Sequence, residues 1–149
     1  MKYVSTRGEA KVASFKEILA SGTASDGGLF VPSSIPKFDE KVIKSMSDLS
    51  YIEIAEIIIR PFIGDFLKKD ELQEILSDSY RNFETDNVVQ IKDYEFGHVL
   101  ELFHGPTLAF KDVAMQLLGR LLNAASEQLG KKIVILGATS GDTGSAAIA

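Results

Sequence analysis

Glu101-Leu-Phe-His-Gly-Pro-Thr-Leu-Ala-Phe-Lys-Asp112 joins an apolar run, a Gly-Pro turn and a single lysine, and it leads into an amphipathic helix predicted over residues 111–129. Most lysines are solvated surface charges, but Lys111 lies between apolar residues on both sides. An amine in such surroundings loses hydration, which favours its neutral form. Because a neutral amine can condense with an aldehyde cofactor and then act as a general base, Lys111 is the predicted catalytic residue. The alternative is a helix start whose lysine reaches water along its aliphatic stem.

A second motif follows the apolar run Ile133-Val-Ile-Leu136, which is typical of a buried strand in a parallel sheet. This motif, Gly137-Ala-Thr-Ser-Gly-Asp-Thr-Gly144, opens another helix, and backbone N–H groups at a helix start favour anions. It matches neither a Walker loop nor Gly-x-Gly-x-x-Gly. The alternative is an ordinary strand-to-helix turn capped by Asp142 or Thr143. The residues predicted to hold the acidic end of a substrate are Thr139, Ser140, Gly141, Asp142 and Thr143.

Together these motifs resemble the threonine synthase family. Phe103-His-Gly-Pro-Thr-x-Ala-Phe-Lys-Asp112 resembles the family's pyridoxal-phosphate lysine motif, and Ala138-Thr-Ser-Gly-Asp-Thr-Gly144 resembles its substrate-carboxylate loop. Tyr3-x-Ser-Thr-Arg-Gly8 and Ser25-Asp-Gly-Gly-Leu-Phe-Val-Pro32 resemble the opening of its enteric and fungal branch. The resemblance covers nearly the whole chain in motif order, and it implies a pyridoxal-phosphate enzyme of fold type II.

The resemblance also implies a reaction and a set of roles. The family's enzymes are carbon–oxygen lyases that convert O-phospho-L-homoserine and water to L-threonine and phosphate. Lys111 would hold pyridoxal 5′-phosphate, Phe110 would pack against the cofactor ring, and Asp142 would lie beside the ring hydroxyl. Two roles stay open for His104, which either contacts the leaving phosphate or stabilises its loop. Glu101 is expected to be a structural carboxylate, with a contact to substrate as the alternative.

Chain length sets an expectation of its own. The family's enzymes run to several hundred residues, whereas this sequence has 149 and ends partway into a helix. The resemblance therefore implies the N-terminal portion of a threonine synthase, inactive by itself, with the cofactor-phosphate loop and the partner of the pyridine nitrogen further along. The alternatives are another enzyme of the same fold type, such as a dehydratase, and a non-catalytic module that binds a small anion.

Composition excludes several other classes. A hydrophobic content of 45% in 149 residues is enough for the core of about one domain. The net charge of −5 without a basic cluster argues against nucleic acid as a partner. There are no cysteines, and the two histidines lack partners at ligand spacing, so no metal site is expected. Without a secretory segment or an apolar run of membrane length, the prediction is a cytoplasmic protein that does not engage membranes. The small-molecule substrate is an expectation from the family resemblance alone.

The predicted fold class is α/β, in which a helical N-terminal region with short strands leads into the start of a parallel-sheet pyridoxal-phosphate domain, truncated in its last helix. The predicted domains are an α+β region over residues 1–95 and the incomplete beginning of the cofactor-binding α/β domain over residues 96–149. Capping boxes predict helices that begin after Ser14 and Ser50. A further helix is expected from Glu71, capped by Asp70, and Pro61 is expected to end the helix before it.

Helix 111–129 shows an apolar stripe at helical spacing, and Gly130 is its expected stop. The opposite, polar side is predicted to consist of Gln116, Arg120, Asn123 and Glu127.

Overall fold

Six helices and four short strands make up the computed structural model, which describes all 149 residues. The predicted mixture of helix and strand is confirmed, and none of the helices has the length and apolarity that a membrane span requires. The elements in chain order are β1 (Tyr3–Ser5), α1 (Phe15–Ser21), β2 (Phe30–Pro32), α2 (Glu40–Ser45), α3 (Tyr51–Ile63), α4 (Lys69–Tyr80), β3 (Gln90–Tyr94), β4 (Gly97–Glu101), α5 (Asp112–Leu129) and α6 (Asp142–Ile148).

Local capping signals fix where the helices begin. The predicted capping boxes at Ser14 and Ser50 are both present, with backbone N–H groups donating to Glu17 and Glu53 at 2.7 and 2.8 Å. Helix α4 begins earlier than predicted because the side chain of Glu71 accepts from the backbone N–H of Lys68 at 2.7 Å.

The prediction that Pro61 ends its helix is wrong, since α3 continues to Ile63. Proline removes one backbone donor from a helix. Ile63 is only 3% exposed and belongs to the hydrophobic core. Burial of this last turn offsets the missing hydrogen bond, because a fully buried isoleucine contributes about 1.5–3 kcal/mol.

Helices α3, α4 and α5 enclose the main core. Leu72 and Leu76 of α4 and Ala125 of α5 have no exposed surface, and Leu121 packs with them. The hydroxyl of Tyr80 donates to the carbonyl of Val113 at 3.0 Å, which satisfies its polar end inside the core. One face of α5 is thus anchored, which fixes the position of the segment that precedes it.

The two N-terminal motifs form one structural unit around Asp26. Strands β1 and β2 pair in antiparallel fashion, and the carboxylate of Asp26 accepts bonds from Gly28 N–H, Ser5 Oγ, Glu9 N–H and Ala10 N–H at 2.8 to 3.0 Å. These bonds, led by the one from Gly28, lower the pKa of Asp26 to about 2. Arg7 donates to the backbone carbonyl of Asp26, so this arginine helps to close the same unit.

The run Ile133–Leu136 differs from its prediction as a buried parallel strand. Both sheets in the structure are two-stranded and antiparallel, and neither includes this run. Val134, Ile135 and Leu136 are 77%, 69% and 98% exposed. A parallel strand needs a neighbour for its backbone groups, and no other strand among these residues lies beside it. The division into domains at residues 95 and 96 stays a prediction.

Candidate active site

Lys111 lies immediately before α5, where the chain already has helical dihedral angles. Its side chain is only 25% exposed, and its Nζ lies 5.1 Å from the centre of the Phe110 ring. A cation over an aromatic face is a favourable contact. The predicted amine is therefore partly shielded, with the predicted aromatic neighbour beside it, and Phe110 itself is 61% exposed and open to further contact.

The loop before Lys111 is folded around the next residue, Asp112. This carboxylate has no exposed surface, and it accepts from the backbone N–H of Thr107 at 2.8 Å and from the Thr107 hydroxyl at 2.7 Å. A Cβ added at Gly105 would lie 2.4 Å from the Cβ of Asp112, so only glycine fits there. Leu108 has a φ of 60°, a rare conformation for a branched residue that costs on the order of 1–3 kcal/mol. Asp112 holds this strained turn closed.

The loop over residues 137–144, called the donor-rich loop below, is held together by the side chain of Thr139. The hydroxyl oxygen of Thr139 accepts from the backbone N–H groups of Gly141 and Gly144 at 3.2 and 3.0 Å. A Cβ at Gly144 would lie 2.8 Å from that oxygen, so a larger residue there would displace the Thr139 hydroxyl from these bonds. Gly141, with a φ of 115°, occupies the N-cap position of α6 and has no side chain, so the side chain that accepts from the first turn of this helix is that of Thr139. The alternative in which Asp142 or Thr143 caps the helix is therefore wrong.

The two motifs meet at their polar ends. Nζ of Lys111 lies 4.0 Å from Oδ2 of Asp142, and the Asp142 side chain is 73% exposed. An ion pair this exposed contributes little stability. Its importance is that it brings the lysine motif and the loop close together. The sequence alone left this meeting open. Of the loop residues predicted to bind substrate, Asp142 is the one with an ion-pair contact to Lys111, while Thr139 bonds within the loop.

The sequence predicted that Gln116 lies on the polar, solvent-facing side of α5, but the structure buries it. It is 8% exposed, and its Nε2 donates to the carbonyl of Ala146 on α6 at 3.2 Å. The prediction fails because α6 covers this side of α5. Helical spacing shows which residues share a side of a helix, but it does not show which later element packs there.

His104 is buried between two carboxylates in the same loop region. Its Nε2 lies 2.9 Å from Glu101 and its Nδ1 lies 3.3 Å from Glu84, while the Glu84 backbone N–H donates to the His104 carbonyl. The hydrogen bond to Glu101 raises the pKa of His104, and Glu84 adds to the effect. Only the protonated ring donates from both nitrogens. These contacts favour the loop-stabilising role for His104 and the structural role for Glu101.

Three residues important to this geometry were not assigned such a role from the sequence: Asp112, Glu84 and Gln116. Asp112 bonds to Thr107, which is only five residues away, so its contact is local along the chain. Glu84 and Gln116 make contacts 20 and 30 residues away along the chain, for which no local pattern exists.

Comparison with known proteins gives one consistent result. A family model described as the threonine synthase N terminus matches residues 2–80. Over 99% of its length, the chain is 48% identical to the threonine synthase of Pseudomonas aeruginosa and 42% identical to that of Schizosaccharomyces pombe. It covers 32% and 31% of those proteins, so it spans about a third of the length of these curated relatives.

Comparison with solved structures points to the same family. The crystal structure of PLP-bound threonine synthase from Brucella melitensis is 46% identical and aligns with a TM-score of 0.96 over 99% of this chain and 32% of that one. The threonine synthase from Escherichia coli is 32% identical, with a TM-score of 0.81 over 99% of this chain and 33% of that one.

Proposed function

This chain belongs to the threonine synthase family, and on that basis we propose that it supplies the cofactor lysine and the substrate-carboxylate loop of a carbon–oxygen lyase that makes L-threonine and phosphate from O-phospho-L-homoserine and water. The observation that carries the proposal is the 4.0 Å approach of Lys111 Nζ to Asp142 Oδ2. It joins two motifs whose chemistry is useful only if they face the same small molecule.

The residues present fit pyridoxal 5′-phosphate, the cofactor named for the Brucella melitensis enzyme. An aldehyde requires an amine that is shielded yet reachable, and the Lys111 side chain at 25% exposure meets that requirement. Phe110 offers an open ring face beside the amine, and Asp142 offers an oxygen to a ring hydroxyl. When bound, the cofactor supplies an electron sink for charge that develops on the substrate carbon next to the amine.

In this proposal each group of the chain has a defined task. The loop Thr139–Thr143 orients the substrate α-carboxylate by N–H and hydroxyl donors. Nζ of Lys111 moves protons at Cα and Cβ of the substrate. The bond between Cγ and the phosphate oxygen breaks and its electron pair leaves with phosphate, Cγ takes up a proton to become the methyl group of threonine, and water adds its hydroxyl at Cβ.

In this proposal, some of the residues that bind the cofactor lie outside this chain. No residues of this chain are assigned to the cofactor phosphate or the pyridine nitrogen. We therefore propose that the 149 residues act only as part of a longer polypeptide. We also propose that this polypeptide acts in the cytoplasm.

Replacement of Lys111 tests the assignment. In the full-length protein that carries these residues, Lys111→Ala should lower threonine formation by at least about a thousandfold, because it removes both the cofactor attachment and the proton carrier. It should also abolish the absorbance of the cofactor–lysine linkage. Lys132→Ala, at an exposed lysine, is the matched control and should leave both unchanged. Activity near the parent rate in Lys111→Ala would rule out this role for Lys111.

Substrate choice separates this proposal from a dehydratase. Turnover of O-phospho-L-homoserine with release of phosphate is the expected result, and turnover of threonine or serine instead would favour the dehydratase.

A further inference from the structure

The contact between α5 and α6 depends on very few polar groups. Among the hydrogen bonds of residues 139–149, only one reaches the rest of the molecule, and it runs from Gln116 Nε2 to the carbonyl of Ala146. Ala146 is 1% exposed, so both partners of this bond are buried. A buried amide is costly without a partner, which makes the bond selective for one placement of α6.

The bond lies close to the Lys111–Asp142 pair. Gln116 follows Lys111 by five residues on α5, and Ala146 follows Asp142 by four residues on α6. At 1.5 Å per residue, these offsets correspond to about 7.5 and about 6 Å along the two helices. Because the offsets are similar, a bond between Gln116 and Ala146 sets how far α6 can slide along α5.

We propose that Gln116 is a positioning residue, whose side-chain amide holds α6 on α5 and thereby sets the separation of Lys111 and Asp142. The chemical meaning of that separation rests on the proposed function, whereas the separation itself can be measured without cofactor or substrate. Simple packing does not account for Gln116, because an apolar side chain of the same size would fill the space without needing the Ala146 carbonyl.

A zero-length carbodiimide cross-link measures this separation directly in the full-length protein that carries these residues, without added cofactor or substrate. The reagent activates the exposed Asp142 carboxylate, and the Lys111 amine then forms an amide only if the two groups come into contact. The yield of the Lys111–Asp142 linkage, read by mass spectrometry, should fall about fivefold in Gln116→Leu, the effect expected from loss of one hydrogen bond. The control is Asn123→Leu, because Asn123 is an exposed amide on α5 that bonds only to Glu127, and its yield should match the parent chain.

Amide hydrogen exchange in the same proteins separates positioning from general stability. In Gln116→Leu, the α6 amides should lose protection while those of α3 and α4 keep theirs. An unchanged cross-link yield and unchanged α6 protection would overturn the proposal. Equal loss of protection in α3, α4 and α6, repeated in Gln116→Met, would also overturn it, since Gln116 would then serve the core as a whole.

The parent chain distinguishes the two hypotheses. If its α6 amides are protected but it forms no Lys111–Asp142 linkage, the proposed site itself is wrong. If the linkage forms in the parent and persists in Gln116→Leu, only the role of Gln116 is wrong.

Discussion

At the scale of single residues, Asp112 shapes the segment that presents Lys111. Its buried carboxylate takes both donors of Thr107 and leaves no space for a side chain at Gly105. The start of a helix is a favourable place for a negative charge. The position of Lys111 therefore depends on a neighbour that carries no chemistry in the proposed reaction.

Gly105→Ala should destabilise the protein. The new Cβ would lie 2.4 Å from the Cβ of Asp112, which cannot move away as the end of a flexible side chain could. The expected loss in the free energy of unfolding is about 1–3 kcal/mol, as for an overpacked core. Gly119→Ala is the control, because nothing lies within 4 Å of its added Cβ and alanine favours the helix by about 1 kcal/mol. Urea denaturation of both variants provides the test, and an unchanged free energy of unfolding in Gly105→Ala would contradict the close packing of Gly105 against Asp112.

His104 should make stability depend on pH near neutrality. Because its folded pKa is raised above 6.5 by Glu101 and Glu84, its contribution is fully present below 6.5 and is lost as pH rises through the folded value. The free energy of unfolding of the parent should therefore fall with rising pH relative to His104→Gln, which cannot titrate there. Parallel pH profiles of the two proteins would show that the carboxylates do not hold a charged ring.

At the scale of elements, the Asp26 unit predicts a different pH response. The carboxylate joins the end of β1 to the turn before β2, and its folded pKa is about 2 against an ordinary 3.8. Its contribution is present above pH 3.8 and is lost as pH falls towards 2. Compared with Asp26→Asn, the parent should lose more stability over that range in acid denaturation.

Two other acids serve as an internal reference. Glu17 and Glu53 also have lowered pKa values, from hydrogen bonds in their capping boxes, and they should titrate alike in both proteins. A difference between parent and variant that does not change between pH 3.8 and pH 2 would show that Asp26 does not hold this unit.

Elements with a local signal could be predicted from the sequence. The capping boxes at Ser14 and Ser50 mark two helix starts, and α5 ends at Gly130, whose φ of 60° suits glycine. The predictions that failed concern residues whose surroundings are set by distant parts of the chain. The run Ile133–Leu136 has the composition of a buried strand but no strand beside it, and Gln116 has the spacing of a surface residue but lies under α6.

The candidate site follows the same division. The motifs around Lys111 and Asp142 could be read from residue types, because apolar flanks and glycine-rich loops are properties of short segments. Their 4.0 Å separation could not, because it results from the packing of α6 on α5.

At the scale of the whole molecule, α5 links the core to the site. Leu121 and Ala125 bury one side of it in the core shared with α3 and α4, while Gln116 on another side holds α6. Lys111 lies at the beginning of this helix, so the core fixes the amine in place. The chain spans about a third of the length of its curated relatives, and the exposed apolar residues Val134, Ile135 and Leu136 lie next to the donor-rich loop.

The most direct test of the central claim is to reduce the full-length protein with borohydride in the presence of pyridoxal 5′-phosphate and to map the label by mass spectrometry. Lys111 should carry the pyridoxyl group, whereas the exposed Lys131 and Lys132 should stay unlabelled under the same conditions. A label confined to any other lysine, with Lys111 unmodified, would contradict the account.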